Sequence, residues 1–252
     1  MEDLVQREHE IMKVCLLAGQ IMLQSGAETY RVEDTMVRIA ASFGVDKTHS
    51  YMTPTGLIFS MEDPQPITRL NRISDRTTNL HKIDRVNSVS RRISKGELTI
   101  AEARRELEII QRTGDIYPLW LRLLMAALAS GCFLIMFRGI WPDFLPAAVA
   151  GGLGYYCTLM LQRMIPVKFF AEFSGALAIG LCSILFVKFG FGQDLDIIVI
   201  SSVMPLVPGL LITNAIRDLM AGHLVSGLSK GAEAFITSFA IGAGIAFMLS
   251  FQ

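Results

Sequence analysis

The hydrophobic pattern divides the chain into two parts of different character. Residues 1–117 alternate between apolar and charged positions, whereas residues 118–252 form long apolar runs that contain few charges. An apolar run of about 20 residues is long enough to cross the hydrocarbon core of a bilayer. The pattern therefore predicts an α-helical membrane protein, with a soluble domain at 1–117 followed by a membrane domain at 118–252.

Five segments in the second part are close in length to a membrane span. They cover about 119–137, 144–161, 169–187, 195–215 and 232–251. Basic residues before the first segment, and in the loops after the second and fourth, predict a cytoplasmic N-terminus and an external C-terminus. The loop residues that favour this orientation are Arg163, Lys168, Arg217 and Lys230.

Small residues recur four positions apart inside the predicted spans, a spacing that lets helices approach closely. Such pairs fit packing within the chain's own bundle, and they also fit packing against a partner subunit. The pairs are Ala148 with Gly152, Ala150 with Gly154, Ala176 with Gly180, and Ala240 with Gly244.

The fourth apolar segment is interrupted in its middle by Pro205, Pro208 and Gly209. A helix broken at bilayer depth leaves backbone groups that lipid cannot satisfy. Such breaks occur where the chain lines a cavity or is buried in protein, and in transporters they mark substrate sites. We therefore expect a Pro/Gly-broken fourth helix that contributes to a translocation pathway.

Polar residues follow this break. Thr213 and Asn214 could hydrogen-bond a substrate, and a helix that restarts after Gly209 would attract an anion through its free N–H groups. Asn214, Arg217 and Asp218 lie three or four positions apart on one predicted helical face. A kinked helix with a polar cap and an Arg217–Asp218 pair is the alternative.

The first part predicts a small α+β domain. Apolar periodicity indicates helices at about 4–24, 28–43 and 80–94, and the capping box of Thr99 and Glu102 begins a fourth helix that ends near Gly114. Strands are expected at 45–61 and 67–73, joined by a turn at 63–66. Pro54 indicates that the first run is two strands or an edge strand.

Enzymatic chemistry is not expected, and no cofactor or metal site is predicted. Gly227-Leu-Ser-Lys-Gly231 matches the nucleophile-elbow pattern, but neither Asp nor His follows Ser229. A flexible interfacial loop explains this stretch better. The histidines are isolated, without the paired spacing of a zinc site. They are His9, His49, His81 and His223.

Two carboxylates lie near the ends of predicted spans. Glu172 is a few residues into the third segment, and Glu233 begins the fifth. A carboxylate within the membrane is costly and usually functional. Glu172 fits a proton or substrate role and equally a residue in interfacial water, whereas Glu233 fits the interface.

Two blocks of the sequence resemble the threonine/serine exporter family, in its short form that works with a separate small membrane subunit. The first block is 25–33, and the second comprises 205–209, 213–218 and 222–228. The resemblance implies secondary export of threonine and serine, or of a dicarboxylate such as succinate, across the bacterial plasma membrane. Family members often have a further proline where this chain has Leu211, which leaves the geometry of the break and the substrate open.

The resemblance also bears on the soluble domain and on assembly. It implies that Glu28, Arg31 and Glu33 form a gating or regulatory surface, although an exposed charged face fits them equally well. Five spans with one broken helix are typical of half a transporter. We expect the other half to come from a small membrane subunit or from a second copy. A membrane-anchored hydrolase and a non-transporting sensor or scaffold are the alternatives.

Overall fold

The chain contains two compact units. The computed structural model describes residues 2–62, 66–114, 117–165, 167 and 169–251, with side chains described from residue 5 onward. The N-terminal unit comprises Met1–Gly114 together with Leu210–Gly231, and the second unit comprises Asp115–Gly209 together with Ala232–Gln252. The segment Leu210–Gly231 is therefore grouped with the N-terminal residues, whereas the sequence analysis places it in a membrane domain at 118–252.

The described residues are mostly helical. The α-helices are α1 (Glu2–Gln24), α2 (Thr29–Ser42), α3 (Leu80–Ser94), α4 (Ile100–Arg112), α5 (Leu119–Met136), α6 (Phe144–Met164), α7 (Phe170–Lys188), α8 (Leu195–Val203), α9 (Gly209–Met220) and α10 (Leu224–Leu249). The strands are β1 (Thr48–Thr53), β2 (Gly56–Met61) and β3 (Ile67–Arg72). Short 3-10 helices occur at Trp141–Asp143 and Met204–Leu206.

The N-terminal unit has the α+β character that the sequence predicts. Its antiparallel sheet has the order β1-β2-β3, and Pro54 lies between β1 and β2, so the run at 45–61 is two strands. The predicted turn at 63–66 falls largely on residues 63–65, which lie outside the described residues. The register places Tyr51, Ile58 and Leu70 side by side on the exposed face of the sheet.

The opposite face of the sheet and the helices enclose one hydrophobic core. Leu57, Phe59 and Met61 alternate inward along β2 and are buried, because side chains in a strand point to opposite faces in turn. Met36 on α2 and Leu107 on α4 are buried in the same cluster. The predicted capping box of α4 is confirmed, since both of its reciprocal hydrogen bonds are present.

Four helical segments are long and apolar enough to cross a membrane, among the residues that the structure describes. They are α5, Trp141–Met164, α7 and α10. Leu195–Leu206 and Gly209–Met220 pass the same test only together, as a bent pair, so the pair is a fifth span if it is counted as one. The break predicted at Pro205, Pro208 and Gly209 is therefore confirmed.

The start of the last helix corrects one expectation. The sequence analysis predicts a flexible loop at 227–231 and a span that begins at 232, but α10 already begins at Leu224. The helix places Ser226 and Lys230, four residues apart, on one face, and both side chains are buried. Their hydrogen bonds, described below, hold this turn in place.

Glycines allow the helices of the second unit to pack closely. A Cβ atom at Gly154 would lie 3.0 Å from the carbonyl oxygen of Gly175, and a Cβ atom at Gly175 would lie 3.0 Å from that of Gly154. Gly244 similarly packs against the Phe173 carbonyl and Ala176. In all four predicted small-residue pairs, the glycine contacts side chains of this chain's own helices. The spacing therefore reflects packing within the chain.

We predict that Gly244→Ala destabilises the protein whereas Gly242→Ala does not. The added Cβ atom at position 244 would lie 2.5 Å from the Phe173 carbonyl oxygen, and at position 242 it would meet nothing within 4 Å. Overpacking of this kind costs about 1–3 kcal/mol. Thermal unfolding of the purified variants in detergent measures the difference. Equal melting temperatures for the two variants would contradict the close packing of α10 on α7.

Candidate functional site

Helix α9 buries its polar face and exposes its apolar face. Asn214, Ala215 and Asp218 are buried within the protein, whereas the opposite face is apolar and exposed. A helix of a soluble protein normally buries its apolar stripe and exposes its polar one. The exposed apolar residues are Leu210, Ile212, Ile216, Leu219 and Met220. The polar face of α9 therefore has its partners inside the N-terminal unit.

Asp218 is the centre of this polar face, and its side chain has no solvent-exposed surface. Its Oδ1 atom accepts the backbone N–H of Thr29 at 2.9 Å, and its Oδ2 atom accepts the Thr29 hydroxyl at 2.8 Å. Thr29 is the first residue of α2, and the preceding Glu28 makes no side-chain cap. Asp218 therefore places a negative charge at the positive end of the α2 dipole and satisfies an N–H group that the helix leaves free.

Lys230 of α10 neutralises Asp218. The Lys230 Nζ atom lies 2.7 Å from Asp218 Oδ2, and the Lys230 side chain is only 6% exposed. The same ammonium group donates to the Ala27 carbonyl at 3.1 Å and approaches the Thr29 hydroxyl at 3.5 Å. An ammonium group has three donors, and each has a partner here. The pair is thus a hydrogen-bonded buried salt bridge, in which neither charge is left uncompensated.

Two further residues of α9 bind the segment before α2. The Asn214 amide donates to the Gly26 carbonyl at 2.8 Å, and Arg217 donates to Glu28 Oε1 at 2.6 Å. Gly26 has a φ of 83°, a left-handed conformation that glycine adopts without strain. The Arg217–Asp218 pair that the sequence allowed is wrong, because these two residues bind Glu28 and Lys230 instead.

The pKa of the Glu28 carboxyl group reflects its contact with Arg217. Burial alone would raise the pKa of its carboxyl group, but hydrogen bonds from its own backbone N–H and from Arg217 outweigh that effect, together with the charges of Arg31 and Arg217. The pKa of Glu28 is therefore lower than its ordinary value. Glu28 stays ionised at neutral pH, so its attraction to Arg217 is permanent there.

Contacts further along α9 and α10 extend the arrangement. Ser226 donates to the Met52 carbonyl at 3.2 Å, and His223 Nε2 lies 3.7 Å from Glu33 Oε2. Arg31 lies 3.4 Å from the second oxygen of Glu28. We call the central set of contacts the Asp218 network. It consists of Gly26, Ala27, Glu28, Thr29, Asn214, Arg217, Asp218 and Lys230.

The residues of the break itself have simpler surroundings. Pro205 lies in the 3-10 helix Met204–Leu206, and α9 begins at Gly209, directly after Pro208. Proline cannot donate a backbone hydrogen bond, so the helical ladder stops at these positions. The Gly209 N–H donates to the Val207 carbonyl at 2.8 Å, which tightens the turn before α9. Thr213 is exposed on the side of α9 away from Asp218.

Glu172 lies in the second unit, in the first turn of α7. Its Oε1 atom accepts the Gln162 amide at 3.0 Å. Glu172, Glu233 and Thr237 help to line a cavity of about 230 Å³. The structure thus brings together the two carboxylates that the sequence analysis treats separately.

Lys230 and Thr29 are the residues that sequence reasoning missed. The sequence analysis places Lys230 in a loop, yet it and Glu233 are the only charged residues of the apolar helix α10. An ionisable residue in such a helix signals a function or a buried partner, and that signal was available. Thr29 carries no comparable signal, because its role depends on where α2 begins. No group of three or more His, Cys, Asp or Glu side chains in the described residues could hold a metal ion.

Comparison with protein families decides the classification. A family model described as "Putative threonine/serine exporter" matches residues 13–252. The chain belongs to the threonine/serine exporter family. It is a transporter family, and the apolar helices of this chain agree with a multi-pass membrane protein. The sequence resemblance to this family is therefore confirmed.

Individual relatives differ in length and in name. The "Probable succinate transporter subunit YjjP" of Escherichia coli is 25% identical over 247 residues, covering 97% of this chain and 96% of the relative. The "Probable threonine/serine exporter" of Mycobacterium tuberculosis is 23% identical over 250 residues, covering 97% of this chain and 46% of the relative. "Pheromone-regulated membrane protein 10" of Saccharomyces cerevisiae is 25% identical over 258 residues, covering 96% and 32%. No solved structure matches the chain.

We predict that Lys230→Met destabilises this family member by about 3–5 kcal/mol, because it leaves Asp218 charged and buried without its partner. Adding Asp218→Asn should recover much of that loss, since the uncompensated charge is removed. Denaturant unfolding in detergent measures both variants.

A matched control is the exposed pair of Asp34 and Arg38, whose side chains are 62% and 50% exposed. Asp34→Asn should cost only about 0–1 kcal/mol. If Lys230→Met is no more destabilising than Asp34→Asn, the buried pair does not hold α9 and α10 in place.

Proposed function

We propose that this chain is a subunit of a secondary exporter of small polar metabolites, either threonine and serine or a dicarboxylate such as succinate. One observation carries the proposal. The polar residues that follow the Pro/Gly break are bound to the other sequence block of the family, at Gly26–Thr29, through the Asp218 network. Thr29 and Asp218, which are 189 residues apart in the sequence, thus meet at α9. Such a contact is what we expect between a transport element and a segment that controls it.

The broken pair of helices is the proposed translocation element. Counting the pair as one span yields five spans, with Pro205, Pro208 and Gly209 at the interruption. The first-turn N–H groups of α9 and its dipole favour a substrate carboxylate near the break. Thr213 is exposed on α9 and is the residue that we propose hydrogen-bonds the substrate. This is the arrangement by which broken helices bind substrates in other transporters.

Arg217 is the residue through which a substrate would alter the network. Its side chain is 54% exposed, although it pairs with Glu28. A substrate carboxylate offers the same charge and geometry as Glu28, so it competes for the same guanidinium group. Exchange of Glu28 for substrate would then release Arg217 from the segment before α2. Asp218 and Lys230 stay paired in both states and keep the helix anchored.

The coupling of transport to an ion is assigned to the second unit. Glu172 and Glu233 line one cavity there and are the carboxylates through which we propose that the coupling ion acts. The sequence has no phosphate-binding loop of a nucleotide-driven pump. A proton gradient is therefore the proposed energy source.

The complete pathway is proposed to need a second component. The E. coli relative is named a subunit, and the M. tuberculosis relative is about twice as long as its match to this chain. A small membrane subunit or a second copy of this chain would supply the missing half. We place the assembly in the bacterial plasma membrane, with the N-terminus in the cytoplasm and the C-terminus outside.

We predict that Arg217→Ala lowers efflux of the transported metabolite at least about tenfold, because both Glu28 and the substrate lose their partner. Efflux of threonine, serine and succinate is measured in cells that lack the native transporter and express this chain with its genomic partner. Arg105→Ala is the matched control, since Arg105 is an exposed arginine on α4.

Membrane assembly of each variant is checked by its yield after detergent extraction. Efflux that is equal in the wild type, Arg217→Ala and an empty control, for all three metabolites, would contradict the exporter function. That result would favour a sensor or scaffold that does not transport.

A further inference from the structure

A second polar cavity lies on the N-terminal unit, between α2 and α3. Its volume is about 250 Å³. Arginines from both helices line it, together with hydrogen-bonding side chains. The lining residues that matter here are Arg31, Arg38, Arg91, Asp34, Asn87 and Ser90. Nothing in the proposed transport cycle uses this cleft.

The cleft has an excess of positive charge. Three guanidinium groups face one carboxylate, that of Asp34, which pairs with Arg38 at 2.6 Å. Arg91 makes no ion pair within the part of the chain that the structure describes. Arg31 has only a 3.4 Å contact with Glu28, whose other oxygen is bound more closely by Arg217 at 2.6 Å. Two positive charges, on Arg31 and Arg91, therefore lack a full counter-charge.

The size and the donors of the cleft define its ligand. Guanidinium groups bind carboxylate and phosphate oxygens with paired hydrogen bonds, and Asn87 adds an amide donor. The volume is below the roughly 300–1,000 Å³ of sites for drug-sized ligands. A small anion with two negative charges matches both the volume and the uncompensated charge.

We propose that this cleft binds a small dianion, either inorganic phosphate or a four-carbon dicarboxylate. The ligand lies between Arg31 and Arg91 and leaves the Asp34–Arg38 pair intact. Its binding weakens as salt concentration rises, because the site is open to solvent and screened by ions.

Arg31 connects the cleft to the Asp218 network, because it contacts Glu28. Arg31 and Arg217 are two cations on one carboxylate, so they repel each other. A dianion that neutralises Arg31 removes this repulsion and strengthens the Arg217–Glu28 contact. If Arg217 acts in transport as proposed above, the dianion then slows export by holding α9 in its bound position. The binding itself does not depend on that function.

We predict saturable binding of phosphate or succinate to the purified full-length chain in detergent, and at least tenfold weaker binding to Arg91→Gln. A tenfold change corresponds to about 1.4 kcal/mol, which one lost charge-assisted contact supplies. Equilibrium dialysis with radiolabelled phosphate and, in a separate arm, radiolabelled succinate measures the affinity in chloride buffer. Arg105→Gln is the control for a lost exposed charge and should bind as the wild type does.

The two arms of the experiment show whether the anion is phosphate or succinate. The variants distinguish binding at the cleft from binding at the transport element. Phosphate binding alone, succinate binding alone, or competition between them each identifies the dianion, provided that Arg91→Gln weakens it. Succinate binding that Arg217→Ala weakens and Arg91→Gln does not would belong to the transport element and would overturn the cleft proposal. No saturable binding of either anion, or equal loss in Arg91→Gln and Arg105→Gln, would also overturn it. Loss of efflux function leaves this test unaffected.

Discussion

The buried salt bridge of Asp218 and Lys230 is the constraint on which the N-terminal unit depends. A carboxylate with no exposed surface needs a compensating charge and hydrogen-bond donors, and here it has Lys230, the Thr29 N–H and the Thr29 hydroxyl. These partners come from α10 and α2. The geometry of three helices is therefore set at one point, and the register of α9 follows from it. Removal of either partner would leave an uncompensated charge in the interior of the protein.

Asp218 and Arg217 on α9 differ in burial and therefore in the role that each can have. Asp218 is inaccessible and stays paired, whereas Arg217, one residue earlier, is half exposed and pairs with the carboxylate of Glu28. A residue that holds the helix in place must keep its partner, whereas a residue that responds to a substrate must be able to exchange its partner. The charge of Glu28 connects the two sets of contacts, because Arg31 and Arg217 both act on it. A change at the α2–α3 cleft can therefore reach α9 through a single carboxylate.

Sequence reasoning was most successful where local chemistry decides the structure. The prolines at 54, 205 and 208 cannot join a hydrogen-bond ladder, and each interrupts an element as expected. The polar face of Asn214 and Asp218 followed from helical spacing. Its partners did not, because a side chain's spacing says nothing about what it meets 189 residues away. Lys230 was missed because its glycine neighbours suggested a loop, although an isolated charge in an apolar helix indicates a buried counter-charge.

The distance along the chain between Thr29 and Asp218 has a consequence for biogenesis. The first turn of α2 is synthesised early, but the carboxylate that accepts its N–H group emerges 189 residues later, and Lys230 later still. Contacts between residues so far apart form slowly, since the closure entropy of a long loop must be overcome first. A nascent chain that stops before Lys230 holds an uncompensated aspartate beside an unfinished helix end. The N-terminal unit is therefore complete only once the last helix has been made.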